Sequence, residues 1–178
     1  MVSYYILVFR NKIIILDIRP MKQLFLALIC CLFVAKASAQ MQPQALPTAV
    51  FYKKDGKPFS TAQMPTDKKT FIMFFDATCG HCQEVATHLS KQSSKLMKSN
   101  IYLVSMDEFR SIDYFMTNFA KPLLSMKNVT LLQDKKQAFI PMFKPDKYPS
   151  MYLYGTNKRL IKFSSDDKEV PKFLALMN

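Results

Sequence analysis

Five consecutive apolar residues, Phe71-Ile72-Met73-Phe74-Phe75, follow Thr70 and give way at once to Asp76. The run is short and aromatic, and neither of its alternating faces is polar. It predicts a strand buried on both sides, which requires packing layers above and below its sheet. The chain beyond it supplies them. From Cys79 to about Met97 the pattern is helical: Cys82, Val85, Ala86, Leu89, Ser93, Leu96 and Met97 share one stripe, with Lys91, Gln92, Lys95 and Lys98 off it.

Ile101-Tyr102-Leu103-Val104-Ser105 predicts a second buried strand and Val129-Thr130-Leu131-Leu132 a third. Between them Ile112, Phe115, Met116 and Phe119 mark a short helix that Pro122 ends. A hairpin turning at Asp55-Gly56 joins Ala49-Val50-Phe51-Tyr52 to Pro58-Phe59. A second, turning at Gly155-Thr156-Asn157-Lys158, joins Met151-Tyr152-Leu153-Tyr154 to Leu160-Ile161-Lys162-Phe163. Val170, Phe173, Leu174 and Met177 close the chain at helical spacing, while Phe139-Ile140-Pro141-Met142-Phe143 reads as a loop or a packed connection. The order is hairpin, β-α-β-α-β, hairpin and terminal helix. It implies an α/β fold, a mixed β-sheet with helices on both faces, in one domain.

The amino terminus reads as an address. Met21-Lys22-Gln23 precedes an apolar run from Leu24 to Val34, and the stretch ends Ala37-Ser38-Ala39. A basic start, a short apolar core and an A-x-A tripeptide form an export signal, and the run is shorter than the ~20 residues of a permanent span. We expect residues 1–20 to be a non-native extension ahead of a start at Met21 and residues 21–39 to be a signal peptide cut after Ala39. Residues 40–47 would be a flexible leader, and residues 48–178 the folded domain. The product would be periplasmic or extracellular, tethered to the membrane if the segment stays uncleaved.

Cleavage changes the arithmetic. The removed segment holds five basic side chains and one acidic, so the net charge of +12 falls to +8. It also takes Cys30 and Cys31, leaving Cys79 and Cys82. Two thiols separated by two residues in an oxidising compartment form either a disulfide or a redox couple.

Cys79-Gly80-His81-Cys82 stands where the strand gives way to the helix. Unpaired N–H groups and the helix dipole there favour negative charge on the first sulfur. His81 can add positive charge or a hydrogen bond, and Gly80 permits close backbone approach. A thiol of pKa ~8.5 is only about 3% ionised at pH 7, whereas one lowered to ~6 is about 90% ionised, a better leaving group and a stronger oxidant. Position gives Cys79 the role of nucleophile and Cys82, one turn inward, that of resolving thiol.

The run from Phe74 through Cys79-Gly80-His81-Cys82, followed much later by Tyr148-Pro149 before a strand, resembles the thioredoxin superfamily over roughly residues 46–178. The leading hairpin and the long interval before Pro149 resemble its extracytoplasmic TlpA-like branch. The resemblance implies a thioredoxin-like fold, a Cys-x-x-Cys redox centre and a cis proline at Pro149, with the backbone of Tyr148 pairing with an extended substrate segment as an added strand would. It implies no cofactor, protein thiols and disulfides as substrates, and a membrane-linked electron partner. The sequence departs from the family at two places: Met73 replaces a buried carboxylate that many relatives carry, and Thr78 replaces the usual Trp. The Gly-His dipeptide resembles that of disulfide isomerases and leans toward oxidation, whereas the TlpA-like layout leans toward reduction. Asp76 and Glu84 are the nearest candidates for a proton acceptor, Asp76 more readily as a loop or helix-cap carboxylate.

Zinc would want four ligands, and besides these thiols the mature chain offers only His81 and His88. The methionines suggest a different class, a redox-inert copper-delivery module on the same fold. Copper-delivery relatives space their cysteines three apart and supply a distant His, both missing here, and Met73, Met116, Met151 and Met177 fit core stripes. The lysines are scattered, which argues against nucleic acid.

Overall fold

The computed structural model describes residues 5–9, 12–16 and 42–177. They fall in two units, Met1–Met41 and Gln42–Asn178. In the first, β1 (Tyr5–Phe9) and β2 (Lys12–Leu16) form an antiparallel two-stranded sheet. The expected signal peptide, residues 21–39, lies outside the described residues.

In the second unit, β3 (Val50–Tyr52), β4 (Pro58–Ser60), β5 (Lys69–Phe75), β6 (Ser99–Ser105), β7 (Val129–Gln133), β8 (Ser150–Tyr154) and β9 (Leu160–Ser164) form one sheet in the order β4-β3-β7-β6-β5-β8-β9. β5, β6 and β7 run parallel, and β3, β8 and β9 join antiparallel. The helices are α1 (Gly80–Lys91), α2 (Ser93–Leu96), α3 (Phe109–Phe119), α4 (Phe139–Phe143) and α5 (Val170–Met177). No helix among the described residues is long and apolar enough to cross a membrane.

β5 lies between β6 and β8, and its period-two alternation divides the core. Phe71, Met73 and Phe75 enter one cluster with Cys82, Val85 and Leu89 of α1 and Phe115 of α3. Ile72 and Phe74 enter the other with Phe51, Phe139 and Phe143. An apolar side chain on either face of this strand therefore has a packed layer to meet, as its unbroken hydrophobicity required.

Four segments differ from the sequence reading. The long helix breaks at Gln92, whose φ of −115° and ψ of 27° leave the helical region before α2 begins. Pro122 lies inside a 3-10 turn, Lys121–Ser125, rather than merely ending α3. The Phe139-Ile140-Pro141-Met142-Phe143 segment is helical. Pro141 is its third residue, where a backbone N–H has no intrahelical partner to lose. Phe139 and Phe143, one turn apart, stack at 4.2 Å, and Phe139 stacks on Phe74 at 4.1 Å. Residues 44–46, within the expected flexible leader, are paired: Ala45 bridges Arg159, and Leu46 N–H donates to the Lys158 carbonyl at 2.9 Å.

Asp134 starts α4. Its buried carboxylate accepts the N–H groups of Ala138 at 2.9 Å and Phe139 at 2.7 Å. Replacement by Ala strands these donors, and Asp134→Ala should lower unfolding free energy by about 2 kcal/mol, with Asp134→Asn costing less because one acceptor remains. Urea unfolding at unchanged m-value checks this.

Candidate functional site

The loop from Asp76 to Cys79 carries the chain from the carboxyl end of β5 to α1, and three side chains fix it. Asp107 Oδ2 accepts Ala77 N–H at 2.8 Å and Ser105 Oγ–H at 2.9 Å. Gln83 Nε2 donates to the Ala77 carbonyl at 3.2 Å. Asp76 Oδ1 accepts both Thr78 N–H at 2.7 Å and Thr78 Oγ–H at 2.6 Å. Asp76 is thus a loop-capping carboxylate. Sequence reasoning missed Asp107 and Gln83, because each acts on the loop only after the chain has folded back on itself.

Cys79 is the N-cap of α1, with extended backbone (φ −72°, ψ 116°). Its sulfur accepts Cys82 N–H at 3.4 Å, the bond that a Ser or Asp oxygen makes at other helix starts. The unsatisfied N–H groups of the first turn place positive potential at this sulfur. Cys79 is part-exposed, Cys82 is 0% exposed, and both are free thiols. Burial pushes the Cys82 thiol far above the ordinary range, and hydrogen bonding to Cys79 adds to the rise. The charges of Cys79 and Asp76 push the same way, against the Asp76 backbone. One thiol therefore faces outward at a helix terminus, and its neighbour is held protonated in the core.

Gly80 begins α1, and a Cβ there would meet nothing within 4 Å. Its smallness leaves the face beside Cys79 open rather than relieving a contact. His81 is exposed and turned to a neighbour across the surface: Nδ1 lies 3.0 Å from Asp167 Oδ2 and 3.9 Å from Glu84 Oε2. Asp167 belongs to a 3-10 turn, Asp167–Glu169, that sequence reasoning did not single out. Hydrogen bonding to His81 holds its carboxyl below the usual range.

Tyr148-Pro149 precedes β8, and the peptide between them is cis. Ser150, the next residue, pairs with Phe74, so the dipeptide sits at the same end of the sheet as the cysteine loop. Pro149 is buried and Tyr148 half-buried, its ring 4.9 Å from that of Phe74. Burial, with the charges of Asp76, Asp107, Cys82 and Asp134, pushes the Tyr148 phenol up to about 12, so it stays a neutral donor.

Among the described residues, no cluster of metal-ligating side chains includes Cys79 or Cys82. Among the described residues, His81, Glu84 and Asp167 bring ligand-type atoms within 4.8 Å of one another, but two of the three are exposed and their closest contact is a hydrogen bond. Met73, Met116, Met151 and Met177, which copper delivery would want free, are buried in packing.

No protein-family model and no curated protein matches the sequence. Solved structures do. A secreted Mycobacterium tuberculosis disulfide oxidoreductase homologous to E. coli DsbE aligns over 72% of this chain and 95% of its own, with TM-score 0.57 and 17% identity. The thioredoxin domain of the thiol-disulfide oxidoreductase BVU-2223 from Bacteroides vulgatus aligns over 79% and 100%, with TM-score 0.59 and 17% identity. The peroxidoxin BcpB of M. tuberculosis aligns over 78% and 96%, with TM-score 0.62 and 12% identity. The α/β architecture expected from the sequence is a thioredoxin-like fold.

Proposed function

We propose that this chain is an exported thiol–disulfide oxidoreductase that exchanges disulfides with protein thiols through Cys79 and Cys82. The observation that carries the reading is the asymmetry of the two sulfurs: Cys79 is part-exposed at a helix N-terminus, and Cys82 is buried one turn further in. The neighbours with thiol–disulfide oxidoreductase names support it through their common fold.

In the reducing direction the Cys79 thiolate attacks one sulfur of a substrate disulfide and expels the other as thiolate, leaving a Cys79–substrate disulfide. Cys82 then loses its proton and attacks the Cys79 sulfur. The substrate leaves as its second thiolate, and the electron pair it gains is balanced by the new Cys79–Cys82 disulfide. Run backward, the same steps oxidise a substrate dithiol. Burial of Cys82 delays the second step until a proton acceptor or water reaches it, which gives the mixed disulfide its lifetime. Tyr148 and Pro149, at the same end of the sheet as the cysteine loop, are assigned to the substrate segment, aligned along the Tyr148 backbone. Gly80 keeps the approach open, and His81 tunes the first sulfur only to the extent that its carboxylate partner Asp167 leaves the imidazole charge free. No cofactor takes part, and a membrane-linked electron partner resets the couple.

Trapping tests the assignment. Cys82→Ser should accumulate a mixed disulfide through Cys79 that outlives the wild-type adduct by more than about 100-fold, and Cys79→Ser should form none. Mass spectrometry of adducts with a disulfide-bonded peptide reads this; adducts through Cys82, or none in either variant, would sink the reading. Export makes its own demand. Expressed from Met21, the secreted protein should begin at Gln40, and retention of residues 21–39 in the exported fraction would refute cleavage.

A further inference from the structure

His81 stands between two thiols, yet its ring is taken by a carboxylate from the far end of the chain. Asp167 Oδ2 lies 3.0 Å from Nδ1, and the contact is an ion pair whenever the imidazole is protonated. Asp167 is the anchored partner, its side chain 19% exposed against 71% for His81 and for Glu84. Its turn is braced by several contacts. Asp166 N–H donates to Ser164 Oγ at 3.1 Å, Lys168 N–H donates to Asp166 Oδ1 at 3.0 Å, and Glu169 pairs with Lys162 at 2.8 Å and also with Lys172. Beside the pair a hollow of about 200 Å³ is lined by Glu84, Val85 and His88 of α1 and by Asp167 and Lys168 across from them. Among the described residues, the charged groups within ion-pair reach of His81 are Glu84 on its own helix and Asp167 opposite, both carboxylates.

An imidazolium raises the oxidising power of a Cys-x-x-Cys couple only as far as its charge reaches the reduced sulfur. A carboxylate within hydrogen-bond distance cancels much of that potential for any third group. We propose that Asp167 is a positioning residue for the redox couple: it holds His81 against the Asp167–Glu169 turn, keeps the imidazole charge off the Cys79 sulfur, and makes the Cys79–Cys82 disulfide less oxidising than the Gly-His dipeptide alone would. The inference rests on the redox reading above and gives it a direction, toward reduction. No bond changes in this role; only the relative stability of dithiol and disulfide does.

The test is the equilibrium of the full mature chain with reduced and oxidised glutathione at about pH 6, where an ordinary imidazole is mostly protonated. Asp167→Asn should shift the equilibrium toward the reduced protein by about tenfold, equivalent to about 30 mV for a two-electron couple. The gain should vanish in the His81→Ala, Asp167→Asn double variant, and His81→Ala alone should lie within about twofold of wild type. An Asp167→Asn equilibrium that is unchanged or less oxidising overturns the proposal, as does a gain that persists without His81. If circular dichroism shows Asp167→Asn unfolded, His81→Ala decides, and a loss of oxidising power of about tenfold overturns the proposal. A wild-type protein that reaches no dithiol–disulfide equilibrium would overturn the redox reading itself. That result is distinct from a measurable potential indifferent to Asp167.

Discussion

At the start of α1 a sulfur does what a side-chain oxygen does at most helix N-termini. Cys79 Sγ accepts Cys82 N–H at 3.4 Å, and in doing so it caps the helix, faces outward and is tied to the residue that carries the second thiol. The remaining geometry of the site follows from that bond. Cys82, three residues on, lies on the stripe of Val85, Ala86 and Leu89 that packs into the core, whereas the extended cap residue before the helix stays at its open end. The exposure of one sulfur and the burial of the other are therefore one fact seen from two ends.

What holds the bond in place is the strand before it. β5 is packed on both faces, so it has no freedom to slip, and its last residue delivers the loop to a fixed point. Asp107 and Gln83 then hold Ala77 from two sides. Cys82 shares a cluster with Phe75, Val85 and Leu89, side chains whose packing role is plain. The desolvation that keeps its thiol protonated is thus a by-product of building the core, and core packing and the asymmetry of the two thiols are linked through a single side chain.

The strands were legible because their patterns are local. β5, β6 and β8 are apolar enough to be read in isolation, and the Asp55-Gly56 turn announces its hairpin, with Gly56 at φ +79°. The placement of the cysteine pair was legible for a similar reason, since its spacing and the strand-to-helix change put one thiol at the helix start and the other inside the first turn. α4 was missed because Pro141 masks a helix whose first turn tolerates it, and because the carboxylate that starts it, Asp134, comes from the strand before. The break at Gln92 left only a weak trace, the serines at 93 and 94. The surroundings of His81 were out of reach: its partner Asp167 is 86 residues away, and only the folded chain brings the two together. Sequence placed an imidazole between two thiols, and the fold turned it toward a carboxylate.

The division of labour between the two thiols can be read in their chemical accessibility. Reduced protein at about pH 7 is exposed briefly to a small alkylating reagent, quenched and mapped by mass spectrometry. Cys79 should take up label at least about 100-fold faster than Cys82, with Cys82 reacting appreciably only when the protein is unfolded. Equal rates in the folded protein, or label on Cys82 first, would contradict it.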